Sequence, residues 1–356
     1  MRPHLPGLNA LRAVAALAVG AAHLEMTKRD RGIPSVLDHP GSWVADHRVG
    51  VMLFFVLSGF IITWLLVREQ EATGGIDRPA FYMRRVLRIW PVYFLVLLVS
   101  GLLFPFTPGW DTLLLCAAGL PNIAKAFDIG WEASPQIWSI GVEEQFYLLW
   151  PWVLPALPKR WVVPSLLGFF LVWTVLPIMV DHALSDIPVD TGWRRVAYLF
   201  FYGAKFNSMA LGGVLGYLFA TKHPVLRWLA SPVVAYGSAV LAFVPWFTGH
   251  TWPWFQDEVY SVLFAFVVLN AASGQYPRSL DHGPLDLLGR ISYGFYMYHW
   301  IALLLIMSVL DHTRGMMRYD LLLYGGVFGF TILVSWLSYI GPERYFQRLR
   351  SRFERG

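Results

Sequence analysis

Two residues near the start of this chain could do chemistry together. Arg12 and His23 sit eleven positions apart in LNALRAVAALAVGAAH, an otherwise apolar, small-residue run. Eleven steps at 3.6 residues per turn make almost three turns, so on a helix both side chains face one side, about 16 Å apart along the axis. A guanidinium grips phosphate, and a neutral imidazole takes a proton from a hydroxyl. The competing account is an arginine snorkelling to one interface and a histidine resting at the other.

Three further segments carry charges into apolar surroundings. In FYMRRVLRIWPVYF, Arg85 and Arg88 are three apart and share a helix face, with Arg84 beside them. Converging guanidiniums suit phosphates, although a cluster that anchors anionic lipid explains the same spacing. In WSIGVEEQFYLLWP, Glu143 and Glu144 stand side by side ahead of an apolar run. At least one is expected to face an interior, where it could orient a histidine. In RISYGFYMYHW, His299 lies deep among aromatics. A histidine satisfied by a backbone carbonyl or a tyrosine accounts for it as well as a functional one does. The histidine spacings HxxxH, HExxH and HxxHH are absent, as is a phosphate-binding P-loop, and the single cysteine, Cys116, excludes a multi-cysteine metal site. No metal is expected.

The elements that position these residues follow from composition. Of 356 residues, 56% are hydrophobic and 14% charged, where soluble domains carry about 25% charge. An all-α, polytopic membrane bundle is the expected class. The net charge of +5 could suit a nucleic-acid partner, but the basic residues fall between apolar runs and read as topology signals. Ten spans are predicted, at 8–25, 49–67, 89–105, 137–157, 162–181, 199–220, 228–248, 257–273, 287–308 and 320–340. Leu113 to Leu120 is too short to cross and is closed by Pro121-Asn122, so a re-entrant or surface helix is expected. An eleventh span there would place the tail arginines 344, 348, 350, 352 and 355 outside, against the positive-inside rule. Both termini are therefore expected in the cytoplasm, and the small-residue opening run is expected to be a permanent helix rather than a cleaved leader.

No hydrophilic stretch is long enough for an attached soluble domain, so residues 1–356 read as one transmembrane domain with a basic tail at about 342–356. Gly212 and Gly216 in LGGVLG suit close helix packing. Trp252 and Trp254 read as interface anchors that could also stack on a sugar, and Arg194 and Arg195 as solvated charges that could also bind an anionic acceptor. The basic tail reads as a lipid anchor.

Taken in order, these segments resemble the membrane-bound acyltransferase 3 family, which includes bacterial O-acetyltransferases of surface glycans. Leu8, Leu11, Arg12 and His23 match its LxxLR-x10-His opening, and Phe54 to Ile62, FFVLSGFII, looks like its second-helix signature. The arginine-rich FYMRRVLRIWPVYF, the segment WSIGVEEQFYLLWP, the late ISYGFYMYH and the closing GPERYFQR are similar to further family segments. The resemblance covers essentially the whole chain. It implies acyl-CoA, usually acetyl-CoA, as donor and a hydroxyl, usually of a carbohydrate, as acceptor. It implies a functional pair at Arg12 and His23, Arg85 and Arg88 on the CoA phosphates and Glu144 near the reaction centre. On the layout of charges, His23 is expected as catalytic base with Glu143 or Glu144 in support, and Arg12 and Arg84 join the donor site. Tyr147, His299 and Ser139 are expected on the substrate side. Membrane lipids are expected partners, nucleic acid is not, homo-oligomerisation is left open, and the location implied is a bacterial cytoplasmic membrane. Two departures stand out: Gly141 replaces a family serine three residues before Glu144, and Pro342 precedes Glu343 instead of following it. From another class, a proton-coupled transporter or flippase would also use buried Arg, His and Glu.

Overall fold

The computed structural model describes residues 5–39, 44, 46–104, 107–185, 192–252, 255–311 and 319–353, and these are helical with no strand among them. In chain order the helices are α1 (Leu8–Asp30), α2 (His47–Thr73), α3 (Arg78–Leu103), α4 (Trp110–Ala117), α5 (Pro121–Ala126), α6 (Trp138–Ala156), α7 (Val162–Ala183) and α8 (Gly192–Gly203). They continue as α9 (Phe206–Ala220), α10 (Leu226–Leu229), α11 (Pro232–Phe247), α12 (Gln256–Ala272), α13 (Pro284–Arg290), α14 (Ser292–Asp311), α15 (Tyr319–Ser338) and α16 (Arg344–Arg350).

Six helical segments among the described residues are long and apolar enough to cross a membrane: 8–30, 47–73, 78–103, 159–183, 292–310 and 320–353. Each of the ten expected spans is largely helical, but boundaries and continuity differ. The third begins at Arg78 rather than 89, because the Asp77 side chain accepts from the Ala80 amide and Pro79 fits the first turn. Arg84, Arg85 and Arg88 thus lie inside a helix. The sixth expected span is two helices, α8 and α9, separated at Ala204-Lys205. Buried Lys205 ion-pairs there with Asp257 at 2.9 Å and Glu258 at 3.5 Å, which supplies the partners a buried cation requires. The ninth divides into α13 and α14 at Ile291. Leu113 to Ala117 end the short helix α4, Ala118 to Leu120 turn the chain, and Pro121 opens α5, so this helical stretch is too short to cross.

Helices α1 and α2 are largely buried, whereas α7 presents Leu171, Val172, Ile178 and Met179 outward. An apolar outer surface of this kind suits a lipid environment. The α2–α9 contact is the most extensive between helices, and glycines make it. A Cβ on Gly59 would overlap the Met209 carbonyl, and one on Gly212 or Gly216 would overlap the carbonyls of Val56 or Phe60. The small-residue packing expected at Gly212 and Gly216 is therefore present.

Candidate active site

The arginines predicted to bind a donor come from two helices. Arg12 of α1 and Arg85 and Arg88 of α3 line one cavity, together with Ser58, Glu143, Tyr147, Tyr293 and Tyr296. Arg12 is oriented by a short relay. Asn9 Nδ2 donates to Asp286 Oδ1 at 2.8 Å, which leaves Asn9 Oδ1 to accept from Arg12 at 3.4 Å. Arg85 is buried with its guanidinium 5.8 Å from the ring centres of both Phe81 and Tyr147, and its Nε has no hydrogen-bond partner among the described residues. A buried donor left open in this way is costly unless something polar arrives to accept from it.

The adjacent carboxylates diverge. Successive helical residues differ by about 100°, so Ser139, Glu143 and Tyr147, four apart, share the cavity face of α6. Glu143 accepts from Ser58 Oγ at 2.5 Å. Glu144 points into a separate small hollow bounded by Trp90, Tyr93, Phe94 and Gly141. Trp90 Nε1 donates to Glu144 Oε2 at 2.8 Å, while Glu144 Oε1 is buried without a partner among the described residues.

His23 and His299 meet at the other end. His23 Nδ1 lies 2.8 Å from His299 Nε2, and His299 Nδ1 lies 2.6 Å from the Tyr296 carbonyl oxygen. The His23 side chain thus has a second imidazole, not Glu143 or Glu144, as its hydrogen-bond partner. His47 sits beside it with ring centres 5.0 Å apart, and Trp300 meets it edge-on at 5.2 Å. The three histidines do not form a metal site: no group of three His, Cys, Asp or Glu among the described residues could hold an ion.

His23 is not among the cavity-lining residues. Tyr296 connects the two regions, since it lines the cavity and its ring lies 5.7 Å from that of His299. Its hydroxyl is 2.6 Å from Ser139 Oγ. Just beyond His23, buried Glu25 accepts from Lys28 at 2.9 Å, Ser35 Oγ at 2.7 Å, the Val36 amide at 2.8 Å and Tyr324 at 2.7 Å. This knot fixes the end of α1 to the following loop and to α15.

A family model described as an acyltransferase domain matches residues 5–340. The chain belongs to the acyltransferase 3 family. It is 26% identical over 333 residues to the O-acetyltransferase OatA of Staphylococcus aureus (strain NCTC 8325 / PS 47), covering 86% of this chain and 51% of that protein. A putative O-acetyltransferase of Staphylococcus aureus (strain COL) is 24% identical over 341 residues, covering 86% and 52%. The chain therefore spans about half the length of these curated relatives. No solved structure matches it significantly.

Against the acyltransferase 3 pattern, the Gly141 departure has a steric reason. A Cβ there would lie 2.5 Å from Asn122 Oδ1 and 2.8 Å from Pro121 Cδ. The amides of Asn122 and Gln145 pair reciprocally, at 3.3 and 2.9 Å, and hold α5 in that place. The Pro342-Glu343 departure lies at a kink: Gly341 has φ −95° and ψ −107°, and Glu343 Oε1 accepts from Ser338 Oγ at 2.7 Å.

Arg84 stands apart from the other arginines. It donates to Glu69 Oε2 at 2.7 Å and to the Phe353 carbonyl at 2.9 Å, so it fastens the tail, which packs on α3 through α16. Arg194 pairs with Asp181 at 3.0 Å. Arg2, Trp254 and Arg355 lie outside the described residues, as does the side chain of Arg195.

Several site residues were not singled out from sequence. Tyr293 and Tyr296 had a signal, standing with His299 at three-residue steps in ISYGFYMYH. Ser58 lies within FFVLSGFII, where an isolated hydroxyl in an apolar helix was the available cue. His47, Asn9 and Glu25 gave none, because only the packing of distant segments makes them neighbours of the site.

Proposed function

We propose that this chain is a membrane-embedded O-acyltransferase that moves a small acyl group, acetyl first among them, from acyl-CoA to a hydroxyl of a carbohydrate-containing acceptor. The observation that carries this reading is one cavity with three guanidiniums at Arg12, Arg85 and Arg88, adjoining through Tyr296 the hydrogen-bonded His23–His299 pair. Phosphates suit the arginines, and Arg85 has a buried N–H to offer them. A proton-coupled carrier would have no need of three converging cations. The setting that fits is a bacterial cytoplasmic membrane with the arginine end and both termini facing the cytoplasm.

In this reading the nucleotide stays at the arginines while the pantetheine arm runs along the cavity past Tyr147 and Glu143. The thioester then passes the Ser139–Tyr296 pair to reach His23. The acceptor oxygen forms a bond to the thioester carbonyl carbon as His23 takes the hydroxyl proton. The carbon–sulfur bond breaks, and the proton passes from His23 to the departing CoA thiolate. Ester and CoA thiol are the products, and His23 returns neutral. Glu143, held by Ser58, faces the cavity where it balances Arg12 and Arg88 electrostatically.

The test is direct. Purified protein in detergent should be thermally stabilised by CoA in a dose-dependent way and should transfer label from acetyl-CoA to a glycan acceptor. No stabilisation at high CoA, with no labelled ester formed, overturns the proposal. Mass spectrometry of envelope glycans with and without the gene identifies the acceptor.

A further inference from the structure

We infer that His299 is a positioning residue that holds His23 in its Nδ1–H tautomer and so leaves the His23 Nε2 lone pair free to act as base. The inference rests on the reading of His23 as base, but its geometry stands on two hydrogen bonds. A backbone carbonyl can only accept, so the 2.6 Å contact from His299 Nδ1 to the Tyr296 oxygen requires the proton on His299 Nδ1. In a neutral ring, Nε2 of His299 then carries a lone pair. The 2.8 Å contact from that atom to His23 Nδ1 needs one proton between them, and only His23 can supply it. With its proton on Nδ1, neutral His23 has its lone pair on Nε2, the nitrogen not engaged by His299.

The alternative, a doubly protonated His299 donating to His23 Nδ1, places a cation on a side chain that is 1% exposed and that no carboxylate among the described residues hydrogen-bonds. The carbonyl of Tyr296 therefore sets one ring and that ring sets the next, a role often filled by a carboxylate. When His23 Nε2 takes the acceptor's proton, the imidazolium keeps its Nδ1–H on the lone pair of His299, so no hydrogen bond breaks as the charge appears. The pair holds one extra proton.

The experiment uses full-length protein with 15N-labelled histidine in lipid nanodiscs. Two-bond proton–nitrogen correlations report which ring nitrogen carries the proton, with His23→Asn and His299→Gln variants assigning the signals. Both rings are expected as Nδ1–H; His23 found as Nε2–H overturns the inference whatever the protein's activity. For turnover, His299→Leu removes the acceptor, and kcat is expected to fall by about 10²-fold or more with the donor KM unchanged. His299→Gln keeps an acceptor oxygen and is expected to regain most of that loss. Equal losses in both variants, or a change confined to KM, count against positioning. Should His23→Ala retain full turnover, the base assignment fails, and the tautomer measurement still decides the geometry.

Discussion

The arginine end and the histidine end of this bundle are organised on opposite principles. At the arginine end three cations line the cavity and two are held loosely: Arg12 by a 3.4 Å hydrogen bond to Asn9, and Arg85 with a buried N–H that has no partner among the described residues. At the histidine end, a carbonyl and two imidazoles are linked by contacts of 2.6 and 2.8 Å, and the Glu25 knot pins the adjoining helix end. Spare donors suit a region that must accept a large anion and release it. A satisfied chain suits the proposed reacting nitrogen, which would already be aimed, since orientation fixed before binding costs nothing during the reaction. The cavity lies with the first region, and Tyr296 is shared with the second.

The sharpest way to break this contrast is at His23. His23→Ala should reduce acyl transfer by roughly 10²–10⁴-fold with the fold retained, as judged by turnover and by an unchanged elution profile. Near-normal turnover would leave the histidine end without a chemical task. Next, Arg85→Gln with Arg88→Gln should raise KM for the acyl donor by on the order of 10–10²-fold and change kcat less, since charge-assisted hydrogen bonds are worth about 1.5–3 kcal/mol each. An effect confined to the acceptor would reverse the assignment of the two ends.

Stability probes give smaller effects. Gly141→Ser must displace Asn122 or α5 and should cost about 1–3 kcal/mol, read as a lower Tm in detergent. An unchanged Tm would mean that α6 does not depend on close α5 packing. Least affected should be Arg84→Gln, which loosens the tail by about 1 kcal/mol or less and leaves the donor KM nearly constant. A donor KM that rises as far as in the double variant would move Arg84 into the cavity group.

Much of the fold was legible because helix formation and apolar length are local. The ten apolar runs expected to span are largely helical and Pro121 ends the short stretch after Leu113, whereas the start of α3 at Arg78, eleven residues before the expected 89, was not read from Asp77 and Pro79. The breaks at Ala204-Lys205 and Ile291 were not legible. The first depends on the carboxylates of Asp257 and Glu258, fifty residues away, and hydropathy is blind to such partners. The tail read as a lipid anchor because it is basic, yet the Arg84–Phe353 hydrogen bond folds it onto α3.

By itself the sequence determined that this is a helical, apolar chain of the acyltransferase 3 family. It also determined that Arg12, Arg85, Arg88, His23, Glu143 and Glu144 are costly to place, and that Gly212 and Gly216 permit close packing. Tertiary structure alone decided that Glu143 faces the cavity while Glu144 turns to Trp90. It also decided that Arg84 serves the tail and that His299 takes the place beside His23 which a carboxylate could have filled. Helical periodicity fixes which residues share a face; what lies across from that face depends on segments hundreds of residues away in the chain.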